Sequence, residues 1–225
     1  MAEPIQRRAE KTRTAILDAA EIVFAEHGFD GARVDAIAEA SGYNKTLIFR
    51  YFDDKLGLYS EVLRRIDRQA SEPLAQLIGP LLEDETIFSD THKLRAFFKT
   101  GLGLFFDYLL AHPHVMRMIL WEQAEGWQTY VKIAAVFELE GAERLDALFS
   151  RARASGLLRS DLDPTVLFLL AEQICWTYPT SIPFYQLVLP GRDLSTPEAL
   201  ARAREQIVDF IVGGLVLDPP SIIRN

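Results

Sequence analysis

The chain has 225 residues, with 24 Lys and Arg against 32 Asp and Glu, a formal net charge of −8 and a sequence pI near 5.1. That length allows one large or two smaller domains with a real apolar core, and the acidic balance excludes a diffuse electrostatic binder of nucleic acid. The single Cys175 excludes an intramolecular disulfide framework and suits a reducing cytoplasm, and there is neither a leader-like N-terminus nor an apolar run long enough for a membrane span.

The apolar spacing is helical almost throughout. Ile16, Ala20, Val23, Phe24 and His27 share one face and predict a helix over about 10–27, stopped by Gly28, with the arm before it (MAEPIQRRAEK) expected to fray. VDAIAEAS predicts a short second helix ended by Gly42, and Asn44 is a good N-cap for a third, KTLIFRYF. A fourth begins near Asp53 or Asp54 and runs through Leu56, Tyr59, Val62, Leu63 and Ile66. Pro73 and Pro80 interrupt or kink the region after the fourth helix, and beyond it the spacing predicts helices over 91–112, 113–124 and 128–154, the last closed by Gly156. Asp163 and Pro164 open a helix that Pro179 ends, and Ser195 with Glu198, at capping-box spacing, opens one running to about Val216 before a frayed tail. The expected fold is all-α, with a three-helix helix-turn-helix domain over 10–70 and a larger helical domain over 71–225.

Two short helices joined through Gly42 and Tyr43 and backed by a first helix make a helix-turn-helix at about 33–52, whose second helix enters the DNA major groove. On that helix Ile48 and Phe52, at i and i+4, face inward and leave Lys45, Thr46, Phe49 and Arg50 toward a groove. Lysine and arginine donate to phosphates or guanine edges, a threonine methyl or a phenylalanine ring meets a thymine methyl, and the Tyr51 hydroxyl reaches a phosphate. Lys55, at the start of the next helix, adds a second phosphate clamp. Arg33 and Tyr43, flanking the two helices, complete the candidate DNA-contacting set. Residues 1–60 carry eight Lys and Arg against ten Asp and Glu, so binding has to rest on shape and a few contacts. About four phosphate contacts per subunit of a dimer give a slope of log K against log salt of about −7.

From Thr12 to about Tyr59 the chain resembles the DNA-binding domain of TetR-family transcriptional regulators: ILDAAEIVFAEHGF, then VDAIAEASG, then a helix ending in YF, then a lysine opening the fourth helix. The resemblance implies groove contacts from Lys45, Thr46 and Phe49, phosphate contacts from Tyr51 and Lys55, an all-helical C-terminal domain that binds a small ligand, and pairing with a second subunit. Three positions depart from the family pattern. Arg33 stands where a serine or threonine usually caps the second helix, Leu47 where threonine is frequent, and Phe49 where tyrosine is common.

The larger domain is rich in aromatics. An apolar cavity for a small apolar or aromatic ligand accounts for them, with Phe98, Phe105, Trp121, Trp127, Tyr130, Phe168, Gln173 and Trp176 as candidate lining residues and Phe137 among the remaining aromatics; plain core packing is the alternative for each. Val166, Leu170 and Ile174 on one helix, and Leu200, Ala203, Ile207, Phe210 and Ile211 on the last, carry apolar faces that would form a four-helix bundle with a second copy, or pack within one chain. No metal site and no cofactor is expected, since the HPH at 112–114 has no supporting ligand cluster, and Cys175 reads as an inert buried thiol. The expectation is a cytoplasmic, homodimeric regulator that binds a palindromic operator in double-stranded DNA as a ligand-responsive repressor. A helix-turn-helix protein answering to a protein partner and an all-helical enzyme are the alternatives, the second lacking any recognisable catalytic pattern.

Overall fold

The computed structural model describes residues 3–134 and 140–217, and among these it is helical without strands. The described residues form ten α-helices, in chain order α1 (Glu3–Gly31), α2 (Val34–Ser41), α3 (Lys45–Phe52), α4 (Lys55–Glu83), α5 (Thr91–Ala111), α6 (Pro113–Ala124), α7 (Gln128–Ile133), α8 (Glu140–Ala154), α9 (Pro164–Val188) and α10 (Pro197–Leu215). A 3-10 turn, Glu85–Ser89, separates α4 from α5. The chain divides into two compact units: Met1–Gln69 with His112–Glu138, and Ala70–Ala111 with Leu139–Asn225. The first unit thus reaches past the sequence division at residue 70 by drawing in α6 and α7.

In the first unit α1 starts at Glu3, ahead of the expected residue 10, because Pro4 suits a first turn and residues 6–11 are good helix formers. The helix breaks at Gly28, whose φ of 68° and ψ of 178° lie where only glycine sits without strain. Trp121 of α6 uses the space left by the absent side chain: its ring lies 3.0 Å from where a Cβ would stand, and its indole Nε1 donates to the Ala25 carbonyl at 3.2 Å. Ile16, Ala20, Phe24, Ile37, Ile48, Leu58 and Val62 are wholly buried and form the core of the unit. Phe24 meets Tyr59 edge to face at 4.8 Å.

Beside that core Glu122 is only 2 % exposed. A buried carboxylate is costly without hydrogen bonds, and this one receives the Tyr59 hydroxyl on Oε1 at 2.7 Å and the Tyr130 amide on Oε2 at 3.0 Å. Burial, reinforced by Glu122, pushes the Tyr59 phenol up and keeps it a donor. The Trp127 amide donates to the Glu122 carbonyl at 2.7 Å across a turn in which Gly126 and Trp127 both take positive φ.

The second unit packs Leu94, Phe97 and Phe98 of α5 against Leu148, Phe149 and Ala152 of α8 and Val208, Val212 and Leu215 of α10. Two ion pairs set the register of α5 on α10: Lys99 with Asp209 at 2.6 Å and Asp107 with Arg204 at 2.7 Å, so the two helices run in opposite directions. The Arg204 guanidinium crosses α5 directly over Gly103, where any Cβ would collide with it. A single antiparallel bridge, Leu158 to Val216, ties the turn after α8 to the end of α10.

Several helix ends differ from expectation. α4 does not stop ahead of Pro73 and Pro80 but includes both and ends at Glu83. α9 continues to Val188 through Pro179 and Pro183. The turn that Pro179 deprives of an N–H gains bonds from the Thr180 hydroxyl to the Trp176 and Thr177 carbonyls, at 2.9 and 3.0 Å. Thr196, not Ser195, caps α10, accepting from the Ala199 amide at 3.1 Å, while the Ser195 hydroxyl donates to Asp193. The expected helix over 128–154 is present as α7 and α8; the stretch between, with Phe137, and the tail from residue 218 lie outside the described residues. No described helix is long and apolar enough to cross a membrane.

Candidate nucleic-acid interface

α2 and α3 are short helices whose local sequence sets both their ends. Gly42 takes the left-handed conformation (φ 72°) and returns its amide to the Glu39 carbonyl, closing α2. Two residues later the Asn44 side chain accepts from the Leu47 amide at 2.9 Å and starts α3. Arg33, the N-cap of α2, makes no side-chain capping bond; the acidic first turn at Asp35 is the compensation available there. Asp54 accepts from the Gly57 amide at 2.7 Å and so supplies the start of α4, as the paired aspartates suggested.

α3 has two chemically distinct sides. Ile48 and Phe52 are buried in the first unit, whereas Lys45, Thr46 and Arg50 are exposed and Phe49 and Tyr51 half-buried beside them. Arg33 is exposed, and Tyr43 is half-buried, its hydroxyl 3.4 Å from the Thr12 hydroxyl. All eight candidate DNA-contacting residues lie in the first unit, seven of them on α3 or next to its two ends and Arg33 at the start of α2.

The structure also shows what holds these side chains. Lys45 pairs with Asp35 of α2, its Nζ 3.2 and 3.5 Å from the two carboxylate oxygens, and it lies 6.0 Å from the centroid of the Phe49 ring. Lys55 donates to the Asp30 carbonyl at the end of α1, at 3.2 Å, and sits 4.7 Å over the Phe29 ring. Its partial burial lowers the Lys55 pKa against the pull of Asp30 and Glu125, while burial, Asp30 and Glu122 raise that of Glu125. Sequence reasoning missed Asp35, Phe29, Asp30 and Glu125, since each reaches its lysine only through tertiary folding.

The candidate ligand residues divide between the units. Trp121, Trp127 and Tyr130 belong to the first, where Trp121 is tied to α1 and the Tyr130 amide to Glu122. In the second, Phe98 stacks on Phe149 at 6.0 Å and Phe168 meets Phe149 edge-on at 6.1 Å, while Phe105 is half-buried. Trp176 is buried, with its indole donating to the side chain of the exposed Gln173 at 3.1 Å. The eight do not form one cluster within either unit.

On the candidate pairing faces Val166, Leu170 and Phe210 are exposed by half or more, Ile174, Leu200 and Ile207 are half-buried, and Ala203 and Ile211 are buried. Sequence reasoning missed the remaining exposed apolar residues of α9 and just beyond: Leu169, Phe184, Tyr185, Leu187, Val188 and Leu189. The expected stop at Pro179 removed five of those six from view.

Comparison with known proteins bears on the family and the fold. Residues 16–62 match the domain described as "Bacterial regulatory proteins, tetR family", and residues 96–211 match "Tetracyclin repressor-like, C-terminal domain". The chain is similar to the HTH-type transcriptional repressor SCO4008 of Streptomyces coelicolor, 27 % identical over 90 % of this chain and 98 % of that one. It is also similar to the HTH-type transcriptional repressor NicS of Pseudomonas putida, 28 % identical over 93 % and 94 % of the two chains. Its fold resembles that of a TetR family transcription regulator from Marinobacter aquaeolei VT8, with a TM-score of 0.69 at 21 % identity over 95 % of this chain and all of that one.

Proposed function

Because the chain belongs to the TetR family of bacterial regulatory proteins, it is a DNA-binding transcriptional regulator, and we propose that it is a repressor that binds a palindromic operator as a homodimer and answers to a small apolar or aromatic ligand. The observation that carries the reading is the two-sided α3. Ile48 and Phe52 anchor it in the first unit, which leaves Thr46, Phe49, Arg50 and the Asp35-paired Lys45 to meet base edges while Tyr51 and Lys55 meet phosphates. Repression rather than activation is supported by the names of the two relatives above. Pairing is supported by exposed Val166, Leu170 and Phe210, an apolar face that a two-fold copy of itself would cover. The aromatic content of the second unit, where Phe98, Phe149 and Phe168 pack on one another, is where the reading places an apolar ligand. Ligand acts by its difference in binding free energy between a conformer whose two α3 helices fit successive major grooves and one whose helices do not. Such a protein works in the cytoplasm, beside the chromosome. The reading includes no enzymatic step, in keeping with relatives that are regulators.

Selection of genomic fragments by the purified protein at low salt tests the reading. The expected result is enrichment of a palindrome; no enrichment would sink it. Lys45→Ala should then change which bases are preferred in each half-site, whereas Tyr51→Phe should weaken binding to all sequences alike.

A further inference from the structure

Asp35 is a carboxylate on the face from which α3 is offered to DNA; it is exposed, makes no capping hydrogen bond, and acts on the start of α2 only through its charge. It sits in the first turn of α2 with its side chain 68 % exposed, and it holds Lys45, 49 % exposed, through both oxygens at 3.2 and 3.5 Å. The centroid of the Phe49 ring lies 6.0 Å from the same ammonium. Lys45 is also the first residue of α3, where the helix dipole disfavours a cation, so the carboxylate offsets a local electrostatic penalty as well.

We propose that Asp35 is a positioning residue for operator selection, which keeps Lys45 off the phosphate backbone and directed at base edges. The inference rests on the DNA-binding reading of α3. A lysine on a free four-carbon stem reaches any nearby phosphate, and such contacts supply nearly all non-specific affinity. Paired with Asp35, Lys45 reaches out to a phosphate only after the carboxylate is displaced, whereas an acceptor edge in the groove can approach the ammonium where it already stands. The carboxylate also repels the backbone of any duplex whose bases offer Lys45 nothing in return. Asp35 thus weakens binding to random DNA more than binding to the operator, which suits a DNA-binding region that cannot rely on bulk positive charge.

The test compares wild type, Asp35→Asn, Lys45→Met and the double variant on two duplexes of equal length, the wild-type-selected palindrome and a random sequence, across a salt series. Asp35→Asn should tighten random-duplex binding by about five- to ten-fold at low salt. Freeing one phosphate contact per subunit should steepen its slope of log K against log salt by about 1.8 per dimer. The ratio of operator to random affinity should fall by a similar factor, and these changes should vanish when Lys45 is Met. Asp35→Ser, which keeps a polar group in the first turn of α2, should reproduce Asp35→Asn, with thermal melts showing both variants folded. An unchanged slope and ratio in Asp35→Asn, or the same change with Lys45 absent, would overturn the inference while leaving the DNA-binding reading in place. Failure of the wild type to select any palindrome would instead sink that reading, and this inference with it.

Discussion

Glu172 shows how a single side chain records its surroundings. It lies on α9 one turn from Phe168 and one from Trp176, and burial pushes its carboxyl up to about 7. Burial, with the Glu172 charge as a lesser cause, pushes the Cys175 thiol three residues on up to about 12, so that thiol stays neutral and unreactive in the folded protein. A carboxyl whose folded pKa is raised favours the folded state while it is protonated. That contribution is complete below its ordinary value of 4.5 and is lost as pH rises through 7. Thermal melts should therefore show Glu172→Gln matching wild type near pH 5 and exceeding it near pH 8; a gap that does not change with pH would exclude the carboxyl as its source. At this scale the sequence was legible in chemical type and silent in partnership. Lys45 and Lys55 were visible as cations beside a helix start, but Asp35 lies ten residues before the first and Asp30 twenty-five before the second, so only the packing of α2 with α3 and of α1 with α4 shows that both are already engaged.

For whole elements, legibility depends on how local the determining forces are. α2 and α3 were read closely because their apolar period, the Gly42 stop and the Asn44 cap all act within a few residues. α9 was cut short because proline ordinarily ends a helix, and that rule leaves out the local bonds of the Thr180 hydroxyl to carbonyls three and four residues back. The start of α10 was misplaced by one residue since Ser195 and Thr196 are both competent caps; Asp193 engages the first and leaves the second for the Ala199 amide. An eight-residue helix depends strongly on its ends. Asn44→Ala should cost about 1 kcal/mol, a fall in Tm of about 2–4 °C for a chain of this size, and should weaken operator binding; Asn44→Asp should restore the melt. Calorimetry on the three proteins checks this, and an unchanged Tm for Asn44→Ala would show that the cap contributes nothing.

The molecule as a whole is acidic, and its exposed apolar surface on α9 and α10 is the larger anomaly. Phe210 is 76 % exposed and Leu187 81 %, with Val166, Leu169 and Leu170 near half. A two-fold interface presents every residue twice, so Phe210→Glu should place two carboxylates near each other at the pairing face and oppose association. Sedimentation velocity at micromolar concentration should give a dimer for wild type and a monomer with unchanged helix content for the variant; a monomeric wild type would remove the dimer from the reading. The all-helical class and the helix-turn-helix were legible from sequence at this scale. The membership of the first unit was not, because the contacts that recruit α6, Trp121 to Ala25 and Glu122 to Tyr59, join residues 96 and 63 positions apart. Those two contacts bear on the order in which the chain is made. A ribosome releases the helix-turn-helix early, yet Tyr59 has no Glu122 to receive its hydroxyl, and the Ala25 carbonyl no indole, until all of Ala70–Ala111 and then α6 have been synthesised. The DNA-contacting half of the protein is thus first in translation but depends for its completion on a segment that arrives from the middle of the chain.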